Sequence, residues 1–522
     1  MEKFLSRHGD AVIGTLCGFD RLVFRGTLRL LAHRGGMMNY LGSVKVLLKD
    51  FGDHALALSE RLKAASTALA RRSGRPIRYL ASSATNKEDV ARQIARADRI
   101  EQGLVCIVSA VEPCLTYEVV RDREARVLDL KPRRRQCLHL YHYQIHPLFG
   151  FMHARIQTWF PFAVQVCLNG REWLARTMDQ AGMGYMRRDN GFVWLEDPAG
   201  AQRLMDQQLR VAWPELLDAV ARDLNPAHAA MFAVRPIAYY WTVYQSEWAS
   251  DILFRDAATL CRLYPRLVHH GLTTFLSPDV MRFLGRNIPP SGRLPLGLKK
   301  DVVSDLKARP EGVRIKHRLG GNAIKMYDKQ GSVLRVETTI NDAADFKAFR
   351  TPEGKPTAPK SWHAMRKGIA DLHRRAEVSQ AANDRYLQAL ASVQETASVG
   401  QLAARLCRPV RRKGRRVRAL NPYAPADADL LQAISRGEFT LNGFRNRDLR
   451  RLLFGDQPTS RCEQRRQAAA VTRKLALLRA HRLIRKVPGT HRYHLTEQGR
   501  TIVTALITAR NTSTDMLTKL AA

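Results

Sequence analysis

The chain has 522 residues, 45% of them hydrophobic, and its 85 Lys and Arg outnumber 48 Asp and Glu to leave a net charge of +37. A field of that size favours polyanions, because each phosphate neutralised releases condensed counterions, so nucleic acid is the first partner to consider. A spanning membrane segment is excluded, since no apolar run approaches the roughly 18 residues required.

The length is enough for several domains with ordinary packed cores. At the N-terminus the short apolar "AVIGTLCGF" is bracketed by Asp10 and Asp20 and does not read as a signal peptide. The 8 cysteines include no C-x-x-C pair and lack the tight spacing of a disulfide scaffold. They read as mostly buried thiols of a cytoplasmic protein.

Residues 1–135 alternate strand and helix signals and predict an α/β domain. "IRYLA" at 77–81 reads as a strand, "NKEDVARQIARADR" as a helix capped by Asn86, and "GLVCIVSAV" at 103–111 as a buried strand. "TYEVV" and "ARVLDL" predict a hairpin. Residues 136–400 predict a mixed α+β domain, with helices at about 171–182 and 198–223, a mostly helical section over about 225–310 around "AYYWTVYQSEWASDILF", and a helical tract over 361–396.

Within that domain, "VRIKHRLGGNAIKMYDKQGSVLRVETTI" at 313–340 predicts three short antiparallel strands. Side chains on a strand alternate between faces, and a two-residue loop at Gly320-Gly321 followed by a three-residue loop at Gln330-Gly331-Ser332 puts Ile315, Met326 and Val336 side by side. His317, Ile324 and Thr338 then form the next row of that face. A slip of one residue would place Met326 opposite a charge, so the pattern selects the register. The other face carries Arg314, Tyr327 and Arg335 in one row and Lys316, Lys325 and Glu337 in the next. It reads either as a solvated ladder of ion pairs or as a surface that grips phosphates, single-stranded DNA or RNA, with Tyr327 stacking on a base or acting as a nucleophile.

Residues 401–425 predict a basic linker, in which Arg411, Arg412, Arg415 and Arg416 precede a Pro, Ala and Asp segment. From residue 401 to the end, 26 Lys and Arg face 8 Asp and Glu, so nearly half of the total excess sits in less than a quarter of the length.

Residues 426–522 carry the strongest motif. "NGFRNRDLRRLLF" gives a short helix, and in the next helix Val471, Leu475 and Leu478 recur at helical spacing and predict a buried stripe. Arg466, Gln467, Arg473 and Lys474 fall on its other side. "IRKV" and "RYHL" predict a hairpin around Pro488-Gly489-Thr490-His491, with Arg485, Lys486, His491 and Arg492 on its tip and flanks, and Thr496 caps the helix that follows. Residues 441–500 thereby resemble a winged helix-turn-helix of the kind found in MarR-like bacterial regulators. The resemblance implies that a recognition helix enters the major groove of double-stranded DNA while the wing contacts phosphates.

The remaining length exceeds what a plain repressor needs and suggests catalysis. "MYDKQGSVLRVE" at 326–337 locally resembles rolling-circle replication initiators of the phage gene II/X type. That resemblance implies Tyr327 as nucleophile, with Glu337 beside it and a divalent metal polarising the phosphate. The family's histidine pair departs here: in "HLYHYQIH", His139 and His142 fall on opposite faces of a regular strand, while His142 and His146 share one. A structural role among aromatics suits these histidines better. A second route to a nuclease is a two-metal site of RNase H type built from Asp20, Glu112, Glu247 and Asp251, the last two being four apart and so on one face if that segment is helical. No Walker loop, G-x-G-x-x-G fingerprint or zinc-finger spacing is present.

The sequence thus predicts a multidomain α/β (α+β) chain with a basic antiparallel sheet in its body and a C-terminal winged helix-turn-helix. Its expected function is that of a cytoplasmic DNA-binding protein, a mobile-element replication initiator or transposase-like nuclease using Mg²⁺ or Mn²⁺. The alternative is a non-enzymatic DNA- or RNA-binding transcriptional regulator.

Overall fold

The computed structural model describes residues 1–513 except positions 83, 123, 125, 126, 287–300, 310, 311, 353, 355, 356, 392–398, 413, 437, 438, 440–442 and 456–459. Parts of the helical tract expected over 361–396 and of the section expected over 225–310 therefore lie outside the described residues, as do Asn442 and the stretch after residue 513.

The chain is mixed α/β and built around a large mixed sheet. In its first half the strands are β1 (Val12–Leu28), β2 (Ile77–Tyr79), β3 (Gly103–Asp122), β4 (Val127–His146), β5 (Gly150–Gln157), β6 (Val164–Asn169), β7 (Tyr185–Arg188), β8 (Gly191–Leu195) and β9 (Tyr239–Phe254). There follow β10 (Val302–Arg309), β11 (Gly312–Leu319), β12 (Asn322–Lys329), β13 (Val333–Ile340), β14 (Lys347–Arg350) and β15 (Ser361–Ala364). The C-terminal region adds β16 (Val410–Arg412), β17 (Arg415–Val417), β18 (Ile484–Lys486) and β19 (Tyr493–Leu495). Among the described residues, no helix is long and apolar enough to cross a membrane.

Two compact units interleave in sequence. One comprises residues 14–251 and 337–380, the other residues 1–13, 252–336 and 381–522.

In the first unit the strand order is β9-β1-β6-β5-β4-β3-β2, with the C-terminal end of β13 beside β9. Pairing is antiparallel from β1 through β3 by way of β6, β5 and β4, and parallel between β2 and β3. The expected helix after Asn86 runs over Lys87–Ala97, with the Asn86 side chain accepting from Glu88 N. The expected β3–β4 pairing is present, but as two strands of 20 residues each rather than a short hairpin. The helical expectation around "AYYWTVYQSEWASDILF" is corrected: this segment is β9. From Ser246 to Asp251 every residue of β9 is buried, so the polar alternation that marks a half-exposed strand is missing.

In the second unit β10, β11 and β12 pair antiparallel. The β11–β12 register is the expected one, with Ile315 opposite Met326, His317 opposite Ile324, Arg314 opposite Tyr327 and Lys316 opposite Lys325. Ile315, His317, Ile324, Met326 and Val336 are all removed from solvent, and the first and the last three pack in a core with Leu260, Leu263 and Leu267 of the helix Ala257–Thr273.

The expected linker at 401–425 is instead structured. A helix over Val399–Leu406 and the β16–β17 hairpin place Leu402, Leu406 and Leu420 in a second core, and the Pro, Ala and Asp segment opens the helix Pro425–Ser435, which buries Leu430, Leu431 and Ile434 there. The cation run hides an apolar anchor: Leu402 and Leu406, four apart on one helix face, and Leu420 after the hairpin hold the segment in that core. The same core takes Leu449 from the helix Asn446–Phe454, Val471, Leu475 and Leu478 from the helix Arg461–Ala480, and Ile502, Val503 and Leu506 from the helix Glu497–Asn511.

The cysteine reading also changes. Cys114 and Cys137 are joined by a disulfide across β3 and β4, Cys106 is buried, and Cys261, Cys407 and Cys462 are exposed. A separation of 23 residues carries no local signal of pairing; the antiparallel turn-back brings the two together.

Candidate metal centre and nucleic-acid interface

In the first unit, β1, β9 and β13 each deliver one carboxylate to a common point. Oxygens of Asp20, Glu247 and Glu337 all lie within 4.8 Å of one another. The residues are 6%, 9% and 2% exposed, so the cluster sits at the edge of the interior.

Each acid is placed by its local fold. Asp20 follows Phe19 where β1 is buried on both faces, so its side chain points away from that of Phe19, and it accepts a hydrogen bond from Asn190 Nδ2 at 2.8 Å. Glu247 accepts from Gln245 Nε2 at 3.0 Å. The backbone beside Glu247 is clamped by Arg375, whose guanidinium donates to Ser246 Oγ at 3.1 Å, Val243 O at 3.0 Å and Ile340 O at 3.3 Å. Burial lowers the Arg375 pKa to about 10, which leaves it charged at neutral pH. One guanidinium therefore ties the segment of β9 carrying Glu247 to the end of β13 carrying Glu337.

Arg171 organises the neighbouring acids. It is fully buried in the first turn of the helix Gly170–Gln180, which Asn169 caps by accepting from Arg171 N and Glu172 N. Its Nη2 lies 3.0 Å from Asp251 Oδ2 and 3.4 Å from Ala249 O, and its Nε lies 3.9 Å from Asp20 Oδ1. Glycine at 170 lets that helix start against β1: a Cβ there would stand 1.8 Å from Phe19 O, so the backbone would have to shift.

Of the four acids considered for an RNase H-type set, Asp20 and Glu247 converge. Glu247 and Asp251 are an even number of residues apart on a strand, so they share a face as expected, though not on a helix. Asp251 engages Arg171, and Glu112 belongs elsewhere. The Glu112 carboxylate accepts from the Tyr141 hydroxyl at 2.7 Å and pairs with Lys87 at 3.0 Å and Arg155 at 3.1 Å. Burial pushes its pKa up, but the Tyr141 hydrogen bond and the two cations outweigh this and hold it below the usual carboxylate range. Glu337, singled out in the sequence beside Tyr327, takes the third place.

Tyr327 lies in the second unit and is 7% exposed. Arg335 on the next strand is fully buried, while Arg314, Lys316 and Lys325 are half-buried. The face bearing Tyr327 and Arg335 is thus covered by protein rather than open to solvent. His139 and His142 are buried as well, His142 Nε2 lying 3.2 Å from Ser66 Oγ.

The C-terminal cations are arranged differently. Arg466 and Arg473 are exposed on the helix Arg461–Ala480, and Arg485 and Lys486 are exposed on β18, with Arg492 half-buried before β19. Gln467 corrects the expectation: it is buried, and its amide donates to Glu463 at 3.1 Å. Its position four residues before Val471 continues the Val471–Leu475 stripe and already places it inward. Arg411, Arg415 and Arg416 are exposed on the β16–β17 hairpin. Arg412, Arg415 and Arg418 line a groove of about 1000 Å³ with Arg473, Lys474 and Arg479 of the long helix.

Comparisons with protein-family models, with curated proteins and with solved structures find no match to this chain.

Proposed function

We propose that this chain is a divalent-cation-dependent nuclease that acts on DNA, of the kind a mobile-element replication initiator or a transposase-like element requires. The observation that carries this reading is the convergence of Asp20, Glu247 and Glu337 from three strands distant in sequence. Oxygens bound to one Mg²⁺ or Mn²⁺ at ~2.1 Å lie within about 3–4.2 Å of each other, so a group gathered within 4.8 Å fits a shared ion after small side-chain adjustments. The donors are all hard oxygens, which suits these ions and not a soft metal.

The bound ion would supply Lewis-acid polarisation of a phosphodiester and a lowered pKa for a coordinated water. The protein's own part is positioning. Asn190 and Arg171 orient Asp20, Gln245 orients Glu247, and Arg375 holds the β9 and β13 backbones in register. Tyr327 has no place in this reading, since it lies outside this cluster's unit and its ring is covered.

The C-terminal region supplies DNA binding in this proposal. The helices Pro425–Ser435, Asn446–Phe454 and Arg461–Ala480 precede the two-stranded β18–β19 hairpin, and Phe444 makes a single antiparallel bridge to Tyr493 of β19. Asn446 Nδ2 ties the middle helix to the long one through Ala468 O and Thr472 Oγ1, both at 2.9 Å, and the expected Thr496 cap accepts from Gly499 N at 2.8 Å. This order supports a winged helix-turn-helix, in which Arg466 and Arg473 face base edges and Arg485, Lys486 and Arg492 face phosphates.

The test is incubation of the purified chain with supercoiled plasmid in Mg²⁺, Mn²⁺ or EDTA. Metal-dependent nicks that disappear in Asp20→Asn support the nuclease. DNA retention without cleavage under every condition makes the chain a non-enzymatic binding regulator.

A further inference from the structure

A second metal-ligating group lies on another part of the first unit's sheet. On one face of β3 and β4, Cys114, Cys137 and His139 bring two sulfurs and a ring nitrogen within 4.8 Å of one another. Glu112 stands opposite Cys137 and Ala110 opposite His139, so the cysteines form a diagonal cross-strand pair with Cα atoms 6.6 Å apart. In this structure the sulfurs are joined.

The histidine is what distinguishes this group from an ordinary cross-strand disulfide. His139 is 0% exposed, and its Nδ1 lies 3.1 Å from Cys137 O. A carbonyl accepts only, so the ring proton sits on Nδ1 and Nε2 carries the lone pair. Among the described residues, Nε2 has no hydrogen-bond partner although it is buried. A buried acceptor left in this state costs free energy and calls for an explanation. A metal-bound imidazole has this arrangement, with one nitrogen donating to a backbone carbonyl and the other free to ligate.

The surroundings supply access. Cys114 lines a cleft of about 480 Å³ together with Arg134, Arg155, Gln157 and Gln165. A small ion and an exogenous fourth ligand can reach Cys114 from that side.

We propose that Cys114, Cys137 and His139 form a redox-gated site for Zn²⁺, closed while the sulfurs are joined and opened when they are reduced. Reduction by a dithiol breaks the S–S bond: the reductant gives two electrons and two protons, closes its own disulfide and leaves two thiols on the protein. Zn²⁺ then binds with loss of one proton from each thiol, giving two thiolates and one imidazole, with water as the fourth ligand. Two thiolates and an imidazole select a soft or borderline ion over Mg²⁺, which separates this site chemically from the carboxylate cluster.

The test uses the full chain reduced with a phosphine, whose phosphorus takes the oxygen of water as the disulfide is reduced. Co²⁺ is added as the spectroscopic stand-in for Zn²⁺, because only thiolate ligands give it intense near-ultraviolet charge-transfer absorption. Reduced protein is expected to develop that absorption with one equivalent of Co²⁺ and to lose it when Zn²⁺ displaces the ion, whereas oxidised protein develops none. Cys137→Ser is expected to lose it, and His139→Asn to weaken binding at least ~10-fold. A second measurement needs no variant: Zn²⁺ should protect Cys114 and Cys137 of the reduced protein from alkylation, read by mass spectrometry, while Cys261, Cys407 and Cys462 stay reactive. Equal alkylation of Cys114 and Cys137 with and without Zn²⁺, or Co²⁺ absorption unchanged in Cys137→Ser, overturns the proposal.

Discussion

Nη2 of Arg171 lies 3.0 Å from Oδ2 of Asp251, and neither side chain reaches solvent. A buried pair of this kind is worth little against a well-packed apolar substitute, but removing one partner strands the other as an uncompensated charge. Arg171→Met is therefore expected to destabilise the first unit by about 3–5 kcal/mol. Arg171→Met combined with Asp251→Leu should recover part of the loss. Urea unfolding of the two single variants and the double variant checks this, and additive losses would show that the pair is not coupled.

Gly170 stands where β6 becomes the helix that carries Arg171. A Cβ at this position meets the Phe19 carbonyl at 1.8 Å, and backbone cannot rotate away as a side-chain tip can. Gly170→Ala should cost about 1–3 kcal/mol through overpacking and should displace Asp20, the residue after Phe19. The expected signature is loss of metal-dependent nicking larger than the loss of stability alone explains, measured at a temperature where the variant remains folded.

Sequence patterning reached some of this arrangement and not the rest. The β11–β12 register was legible because one face of that hairpin is apolar and the other charged, so a one-residue slip is costly. The β9 strand was not, because burial on both faces erases the alternation and leaves an aromatic-rich run that fits either period. Asp20 and Glu247 were recognisable as carboxylates able to serve a metal, and Glu337 as an acid of possible chemical use beside Tyr327. Their meeting was not legible, since more than 200 residues separate Asp20 from Glu247 and no local spacing encodes a contact between strands so far apart. Gln467 lies on the inward side that the Val471–Leu475 spacing marks, although an amide side chain is also suited to a base edge.

Arg418 grips Asp427 with two hydrogen bonds, Nη1 to Oδ2 at 2.7 Å and Nη2 to Oδ1 at 2.6 Å. These hydrogen bonds hold the Asp427 carboxyl below its ordinary range, against burial, which pushes it up. With the folded pKa below the unfolded value of about 3.9, the stabilisation is fully present above that value and is lost as pH falls through the folded pKa. Arg418 is largely exposed, so the pair should contribute no more than about 1 kcal/mol. Stability measured between neutral and acidic pH should fall less steeply in Asp427→Asn than in the natural chain. Equal slopes would remove the pair from the acid response.

The exposed cations of the C-terminal region make separable contributions if it binds DNA as a winged helix. Arg473→Ala should relax sequence preference by about 1–3 kcal/mol at one base position. Lys486→Ala should weaken all sequences alike and lower the slope of log affinity against log salt by about one. Binding isotherms on a selected site and on random duplex, each over a range of salt, distinguish the two effects.

The central claim is that Asp20, Glu247 and Glu337 share a divalent cation, and Mn²⁺ titration followed by electron paramagnetic resonance tests it most directly. The oxidised natural chain should bind Mn²⁺ in a form that Mg²⁺ displaces, and Glu247→Gln and Glu337→Gln, each confirmed as folded, should weaken that binding at least tenfold, a loss of about 1.4 kcal/mol or more. Mn²⁺ binding of the same strength in all three proteins, or none in the folded natural chain, would contradict the account.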